Sequence, residues 1–411
     1  MKVFYNIGIY IAGVFIKIFA VFNPKLKLGV AGRKDTFYLL KSAIDENDNV
    51  FWFHCASLGE YEQGLPVFEA LKEKYLDFKI VLSFFSPSGY EIRKNADIAD
   101  IVVYLPLDTN KNAKRFLDLV NPTYVIFVKY EIWPNLLNEI KKRKINAILI
   151  SALFRENQSF FKWYGTFMSK AIFAFKHIFT QDEKSKQLLE TIEYHNVTIS
   201  GDTRFDRVSN QLKVDNSLPF LEQFINDKLC FVFGSTWPED DKLYIDFINN
   251  NSDKDVKYVI APHNIKPNYI ASYKAQLKGK YITFSEMNSE NFSDYNIFIL
   301  DTIGYLSKAY SYADIAYVGG GAGSTGLHNI LEPAVFGIPI IIGKNYEKFP
   351  EAKALLASNG LVSVNSKIKF DKIVASLINN VSKRKAMGTI NENFIKENKG
   401  AVNQILDYIR I

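Results

Sequence analysis

The stretch "VFWFHCASLGEYEQGLPVFEALKEKY" spans Val50–Tyr75. Its first eight residues, "VFWFHCAS" (Val50–Ser57), are apolar, aromatic or small apart from His54, with no alternation. That pattern predicts a strand buried on both faces. From Gly59 onward, apolar residues recur at helical spacing among Glu and Lys, which predicts an amphipathic helix. A buried strand followed directly by such a helix is the beginning of a βαβ unit, and the neighbouring sequence repeats it. "FKIVLSFF" (Phe78–Phe85) precedes a helix from Gly89. "IVVYLPL" (Ile101–Leu107) precedes one around Lys111–Val120, and "YVIFVKY" (Tyr124–Tyr130) one from Trp133. "INAILISALF" (Ile145–Phe154), "HIFTQD" (His177–Asp182), a helix from Asp182 and "VTISG" (Val197–Gly201) follow. Short apolar runs alternating with helical segments predict a parallel sheet.

The alternation stops at "RVSNQLKVDNSLPFLEQFINDK" (Arg207–Lys228), a polar, irregular stretch that reads as a linker over 208–228. It resumes at "LCFVFGST" (Leu229–Thr236) and continues through "KYVIAPH", "YITFSE", "NIFILDT", "IAYVGGG" and "IPIIIG". The expected architecture is α/β: two Rossmann-like domains, 23–207 and 229–411, facing across a cleft, with the last helix packing back on the first domain. In such sheets ligands collect at the carboxyl ends of the strands.

The 411 residues are 48% hydrophobic and 23% charged, which supports a sizeable core and argues against disorder. A net charge of +6 suits an anionic partner, a phosphorylated substrate or an acidic membrane surface. No dense Lys/Arg run or nucleic-acid motif is present, so no nucleic-acid partner is expected. Cys55 and Cys230 lie far apart in strand-like runs and read as buried free thiols. No Cys/His cluster has metal-ligand spacing. "VFYNIGIYIAGVFIKIFAVF" (Val3–Phe22) carries one charge, Lys17, and is followed by Lys25, Lys27, Arg33 and Lys34. Residues 1–22 are therefore expected to anchor the chain, with that flank on the cytoplasmic side. The helix either spans the bilayer or lies in its plane, and a core helix is the alternative.

"YVGGGAGSTGLHNILEPAVFGIPIIIG" (Tyr317–Gly343) contains Gly321-x-Gly323-x-x-Gly326, the dinucleotide fingerprint. In a nicotinamide or flavin enzyme this motif opens the nucleotide domain. Here it comes after about four strand-like runs of the second domain, and Glu347, near the spacing of a ribose-binding acid, does not end a strand. The glycines are better suited to bringing backbone N–H groups to a phosphate at a helix start. Glu332 follows on that helix, where its carboxylate can accept from a ribose diol or cap the restarted helix after Pro333.

These segments resemble, in order along nearly the whole chain, the Kdo (3-deoxy-D-manno-octulosonic acid) transferases of lipopolysaccharide assembly, glycosyltransferases of the GT-B type. "HCASLGEYEQGLP" (His54–Pro66) resembles that family's Ser-x-Gly-Glu segment, and "YEIWPNLL" its Glu-x-Trp-Pro-Asn motif at Glu131–Asn135. "SALFRENQSF", "GDTRFDRV", "GSTWPEDD" and the two halves of the glycine-loop region resemble its further elements. The resemblance implies an inverting transfer of Kdo from CMP-Kdo to a lipid A precursor at the cytoplasmic face of the bacterial inner membrane, with neither metal nor cofactor.

It also implies roles for particular residues. Departure of the donor phosphate develops negative charge that backbone donors must stabilise. Gly320, Gly321 and Gly326 are the candidates, with Ser235 and Thr236, which otherwise cap the following helix. His263 and Asn329 are expected to position phosphate or base, and Glu332 the ribose. Lys266 is expected to replace the positive charge of the family's Pro-Arg-His, where this chain has Pro262. Acceptor contacts fall to Arg33, Ser57, Gly59, Glu131 and Arg155; for the two arginines a surface ion pair is the alternative. The family's Gly-Glu-Arg reads Gly32-Arg33 with no Glu. The base expected to activate the acceptor hydroxyl is therefore Glu60, behind a strand and Gly59, or else Glu60 only stabilises a helix start. Asp35 is displaced and Glu62 turned away. The competing functions are another GT-B glycosyltransferase, a nucleotide-sugar epimerase, or a membrane-tethered sugar-nucleotide-binding scaffold.

Overall fold

The computed structural model describes residues 2–251, 255–287 and 292–410. Met1 and Ile411, the outer limits of the expected anchor and second domain, lie outside the described residues. The chain divides into two compact units, Met1–Arg207 with Lys399–Ile411, and Val208–Asn398.

The first unit is built on seven parallel strands: β1 (Val50–Cys55), β2 (Lys79–Phe84), β3 (Ile101–Tyr104), β4 (Tyr124–Val128), β5 (Asn146–Ala152), β6 (His177–Thr180) and β7 (Val197–Ile199). Their order is β3-β2-β1-β4-β5-β6-β7. Alternate residues of β1 serve opposite faces. Val50 and Trp52 join a core with Phe116, Phe127 and Leu137, whereas Phe51, Phe53 and Cys55 join one with Phe68, Leu82 and Ile126. Both faces are covered, which is why β1 reads as an uninterrupted apolar run. Val402, Ile405 and Ile409, in and just after the helix Ala401–Tyr408, complete the second of these cores. The Asp206 carboxylate holds the start of that helix, accepting from the amides of Gly400 (2.9 Å) and Ala401 (3.1 Å).

Helices α1 (Lys2–Phe19) and α2 (Pro24–Ala43) precede the sheet, and Asn23 caps α2 through its side chain. Among the described residues α1 alone is long and apolar enough to cross a membrane, and it is largely exposed. It is tied to the unit at a few points. Tyr5 donates to Asp108 (2.8 Å), and Asn135 donates to Asn6 (2.7 Å).

The second unit has seven parallel strands: β8 (Leu229–Thr236), β9 (Val256–Pro262), β10 (Tyr281–Thr283), β11 (Ile297–Ile299), β12 (Ile315–Val318), β13 (Ile340–Ile342) and β14 (Leu361–Ser363), in the order β10-β11-β9-β8-β12-β13-β14. Phe231 and Phe233 point to one core, Cys230 and Val232 to the other. Both cysteines are buried and free.

The reading of 208–228 as an irregular linker needs correcting at both ends: the helix Arg204–Asn210 runs into it, and its second half is helical as well. Pro219–Ile225 is a helix, and Leu221 and Phe224 are fully buried in the core with Cys230 and Val232. Leu221, Phe224 and Ile225 fall at i, i+3 and i+4, so one face is apolar and packs.

Candidate active site

In each sheet two adjacent central strands send their connections in opposite directions along the sheet, so that these leave toward opposite faces. This opens a crevice at the carboxyl ends. In the first unit it lies between β1 and β4, in the second between β8 and β12.

After β1 the chain turns into α3 (Leu58–Lys74) with Ser57 as N-cap, and after β4 it passes through Lys129–Trp133. Lys129 has φ +74°, a left-handed conformation uncommon for a non-glycine residue and frequent at functional sites. These two turns bring Glu60 and Glu131 together. Glu60 is held against the helix start, its Oε2 accepting from the amides of Ala56 and Ser57. It is only 5% exposed, and these contacts are those of the expected alternative, an acid stabilising a helix start. The physical reason is its position three residues after the N-cap, where a carboxylate folds back on the orphan amides. Burial, with the Glu131 charge next, pushes its pKa from 4.5 up to about 7, although both amides and Lys129 oppose the shift.

Glu131 is oriented from below. Trp133 Nε1 donates to its Oε2 (2.9 Å) and shares that proton with Nε2 of the buried His54 (3.1 Å). His54 Nδ1 meets Ser83 Oγ at 2.9 Å, and Trp52 Nε1 donates to the same hydroxyl (2.8 Å). Because an indole N–H only donates, His54 Nε2 is the acceptor of that bond, and Nδ1 is the ring nitrogen that faces Ser83. Burial holds the Lys129 ammonium below its ordinary value, against the pull of Glu60, and Arg155 and Arg204 act on it as well.

The remaining acceptor-side candidates separate. Arg155 is exposed near this cluster, its charge acting on Lys129 and Tyr130. Gly59 is exposed, with nothing near the position a Cβ would take. Arg33 is not available for a phosphate. Its guanidinium donates to the carbonyls of Leu105 (3.0 Å), Gly29 (2.9 Å) and Phe85 and lies over the Phe85 and Tyr104 rings. Three of its five N–H groups are spent on backbone carbonyls, and it forms no ion pair among the described residues. Gly32 packs under Tyr104, with a Cβ there meeting the ring at 2.3 Å, so this backbone has no room for a Glu. Glu62 pairs with Arg93 (2.9 Å) and Arg207.

At the reversal of the second sheet, Ser235 has φ +54°, and the following helix Pro238–Asn250 takes Trp237 as N-cap. Thr236 is fully buried; its carbonyl receives the His263 amide (2.9 Å). The cap is therefore neither Ser235 nor Thr236, because Pro238 sets the helix start. The residue that organises this end is Asp240, which sequence reasoning missed. Fully buried, it accepts from Trp237 N (2.9 Å), Tyr317 Oη (2.7 Å), Gly320 N (2.7 Å) and Ala322 N (3.2 Å). The amide of Gly320 is thus spent on a carboxylate, which corrects the expectation that it is a phosphate donor. Gly320 and Gly326 have φ +87° and +99°, which glycine alone adopts without strain, and Gly321 lies against Gly343, its carbonyl accepting from Asn345 N (2.8 Å). Asn329 donates to Glu332 (3.1 Å) at the start of the helix Leu331–Ala334. Lys266 is exposed beyond β9.

Three rings close this end. Trp237 stacks on His263 (4.5 Å, 22°) and donates its Nε1–H to His328 Nε2 (3.0 Å); the imidazoles are 4.7 Å apart. Burial lowers the affinity of both for a proton, and His328, beside His263, falls to about 4.

Comparison with known proteins places this geometry. Residues 31–207 match the family model described as 3-Deoxy-D-manno-octulosonic-acid transferase (kdotransferase). A 3-deoxy-D-manno-octulosonic acid transferase of Haemophilus influenzae is 27% identical over 96% of this chain and 94% of its own length. That of Chlamydophila psittaci is 24% identical over 90% and 86%. UDP-GlcNAc 2-epimerase from Neisseria meningitidis, solved with UDP-GlcNAc, superposes with a TM-score of 0.61 over 88% of this chain and 98% of its own, at 16% identity; that likeness is one of fold. With relatives aligned along nearly its full length and the family model on its first unit, the protein is similar to the 3-deoxy-D-manno-octulosonic acid transferases.

Proposed function

We propose that the protein moves Kdo from CMP-Kdo to a lipid A precursor, with inversion at the anomeric carbon and without a metal, at the cytoplasmic face of the inner membrane. The observation that carries this reading is the near-complete alignment with transferases named for that sugar. The acceptor side rests on the exposed apolar helix α1, on a unit that also carries the acidic site. A lipid acceptor requires an enzyme held at its surface.

Glu60 takes the proton of the acceptor hydroxyl, with Glu131 as its partner. A base works best when its pKa lies near the working pH, and burial beside a second carboxylate brings Glu60 there. The pair holds one negative charge more easily than two, so the neighbour favours proton acceptance. Trp133 and His54 fix Glu131, and Lys129 offsets the charge.

In the second unit, Gly321 and Gly326 shape the loop that receives the phosphate, with Gly320 latched by Asp240. Ser235, Thr236, His263, Lys266 and Asn329 line that end, and Glu332 holds the ribose. Ser57, Gly59 and Arg155 complete the acceptor side. The test is incubation of the purified protein with CMP-Kdo and a tetra-acylated lipid A precursor, followed by mass analysis of the lipid. Added EDTA and the anomeric configuration of the product test the finer points. Protection from thermal unfolding by UDP but not by CMP would favour a nucleotide-sugar epimerase or another glycosyltransferase.

A further inference from the structure

The Trp237–His263–His328 stack has a feature that anion binding alone does not require: its two imidazoles are held differently. His328 Nε2 accepts the indole proton of Trp237, and an indole N–H cannot act as acceptor, so the single ring proton of His328 sits on Nδ1. Protonating Nε2 would break that 3.0 Å bond. His263 has no such lock. It follows β9 and is exposed, and among the described residues its ring nitrogens have no hydrogen-bond partner. Its ring lies face to face with the Trp237 indole at 4.5 Å, and an indole face attracts a cation.

The charged groups on the surrounding elements leave this pair alone. On the helix Pro238–Asn250, Asp240 is bonded to Trp237 N, Tyr317, Gly320 and Ala322, and Asp241 to Tyr244 (2.6 Å) and Tyr269 (2.9 Å). Glu239 is exposed at the helix start, Lys266 is exposed beyond β9, and Glu332, after His328, takes the Asn329 amide. No carboxylate among the described residues hydrogen-bonds either imidazole, and burial lowers the proton affinity of both rings. An oxyanion arriving at the ends of β8, β9 and β12 would be the first negative charge in contact with them.

We propose that an oxyanion of the phosphate or sulfate class binds at this three-ring stack together with one proton, which is taken up by His263 while His328 stays neutral as an Nδ1–H donor. The proposal rests on the reading that this end of the second unit receives the donor's phosphate, and it adds that donor affinity depends on pH through one identified side chain. It also separates two histidines that the sequence presents alike. One carries the mobile proton, and the other is a fixed dipole held by Trp237.

The test uses the full-length protein in detergent, with sodium sulfate and CMP as separate probes. Sulfate keeps its charge between about pH 5.5 and about pH 8.5, so any pH dependence belongs to the protein. Calorimetry in two buffers of different ionisation enthalpy is expected to show sulfate binding with uptake approaching one proton. Affinity should fall by up to about tenfold per pH unit once His263 is neutral in the free protein. Nitrogen-15 spectra of labelled histidine should show His263 gaining a proton on binding and His328 remaining the Nδ1–H tautomer. In His263→Gln, sulfate should bind more weakly with no proton uptake, whereas in Trp237→Phe His328 should titrate as well. Wild-type sulfate affinity that is flat with pH, uptake that persists in His263→Gln, protonation of His328 before His263, or no binding of either probe at any pH would each overturn the proposal. Proton-linked sulfate binding with CMP binding no tighter than sulfate would uphold it and count against the nucleotide reading instead.

Discussion

Glu60→Gln tests the acid pair through stability as well as turnover. In the folded protein the Glu60 carboxyl titrates near 7 instead of 4.5, a rise of roughly two and a half units, and each unit corresponds to about 1.4 kcal/mol. A raised carboxyl pKa means that the folded state binds the proton more tightly. Its contribution to stability is fully present below about pH 4.5 and is lost as pH rises through about 7. Ionised Glu60 therefore costs the fold about 3 kcal/mol at pH 8 relative to pH 4.5. Glutamine keeps the shape and a carbonyl that can accept from Ala56 and Ser57, at a loss of about 1 kcal/mol for the weaker cap. The variant should then match or fall slightly below wild type near pH 5 and exceed it by about 2 kcal/mol near pH 8. Denaturant unfolding of both proteins at the two pH values measures this difference. A variant-minus-wild-type difference that is the same at both would refute the buried-pair reasoning. Independently, Kdo transfer should drop by about 10²–10⁴-fold while CMP still binds; near-normal turnover would remove Glu60 from the chemistry.

Other substitutions separate scaffold from site. Arg33→Ala removes the donor to three backbone carbonyls, so it should destabilise the first unit by about 2–4 kcal/mol and lower transfer only in proportion to folded protein, as read by circular dichroism against activity. Gly32→Glu should cost about 1–3 kcal/mol through overlap with the Tyr104 ring, and Tyr104→Ala in the same chain should relieve that overlap, as seen in the paired unfolding curves. Asp240→Asn should loosen the glycine loop and weaken CMP binding about tenfold or more while the β8–β12 core remains folded, because two loop amides and Tyr317 share that carboxylate. Deleting residues 1–22 should leave CMP affinity unchanged but lower membrane fractionation and activity on lipid-embedded acceptor; a truncated chain that still fractionates wholly with membranes would mean that other surfaces attach it.

The α/β character was legible because strands buried on both faces read as unbroken apolar runs, as in Val50–Cys55 and Leu229–Thr236. The helix Pro219–Ile225 was hidden by polar flanks, although its Leu221, Phe224 and Ile225 spacing was a readable signal. At the site, sequence could nominate Glu60 and Glu131 separately. It could not show that the sheet reverses between β1 and β4 and so puts them side by side, because strand order is a long-range property. Asp240 looked like one acid among three at a helix start, and only the fold reveals the four donors that converge on it. Arg33 looked like a surface cation because its carbonyl partners lie on distant loops. The Trp237–His263–His328 stack draws on residues from three strand ends and has no local pattern.

The most direct test of the central claim is the mass of the lipid after incubation with CMP-Kdo and a tetra-acylated lipid A precursor. The wild-type protein should give a product heavier by one or more Kdo residues, and Glu60→Gln should not. An unchanged lipid, with folded protein and intact CMP-Kdo present, would contradict that claim.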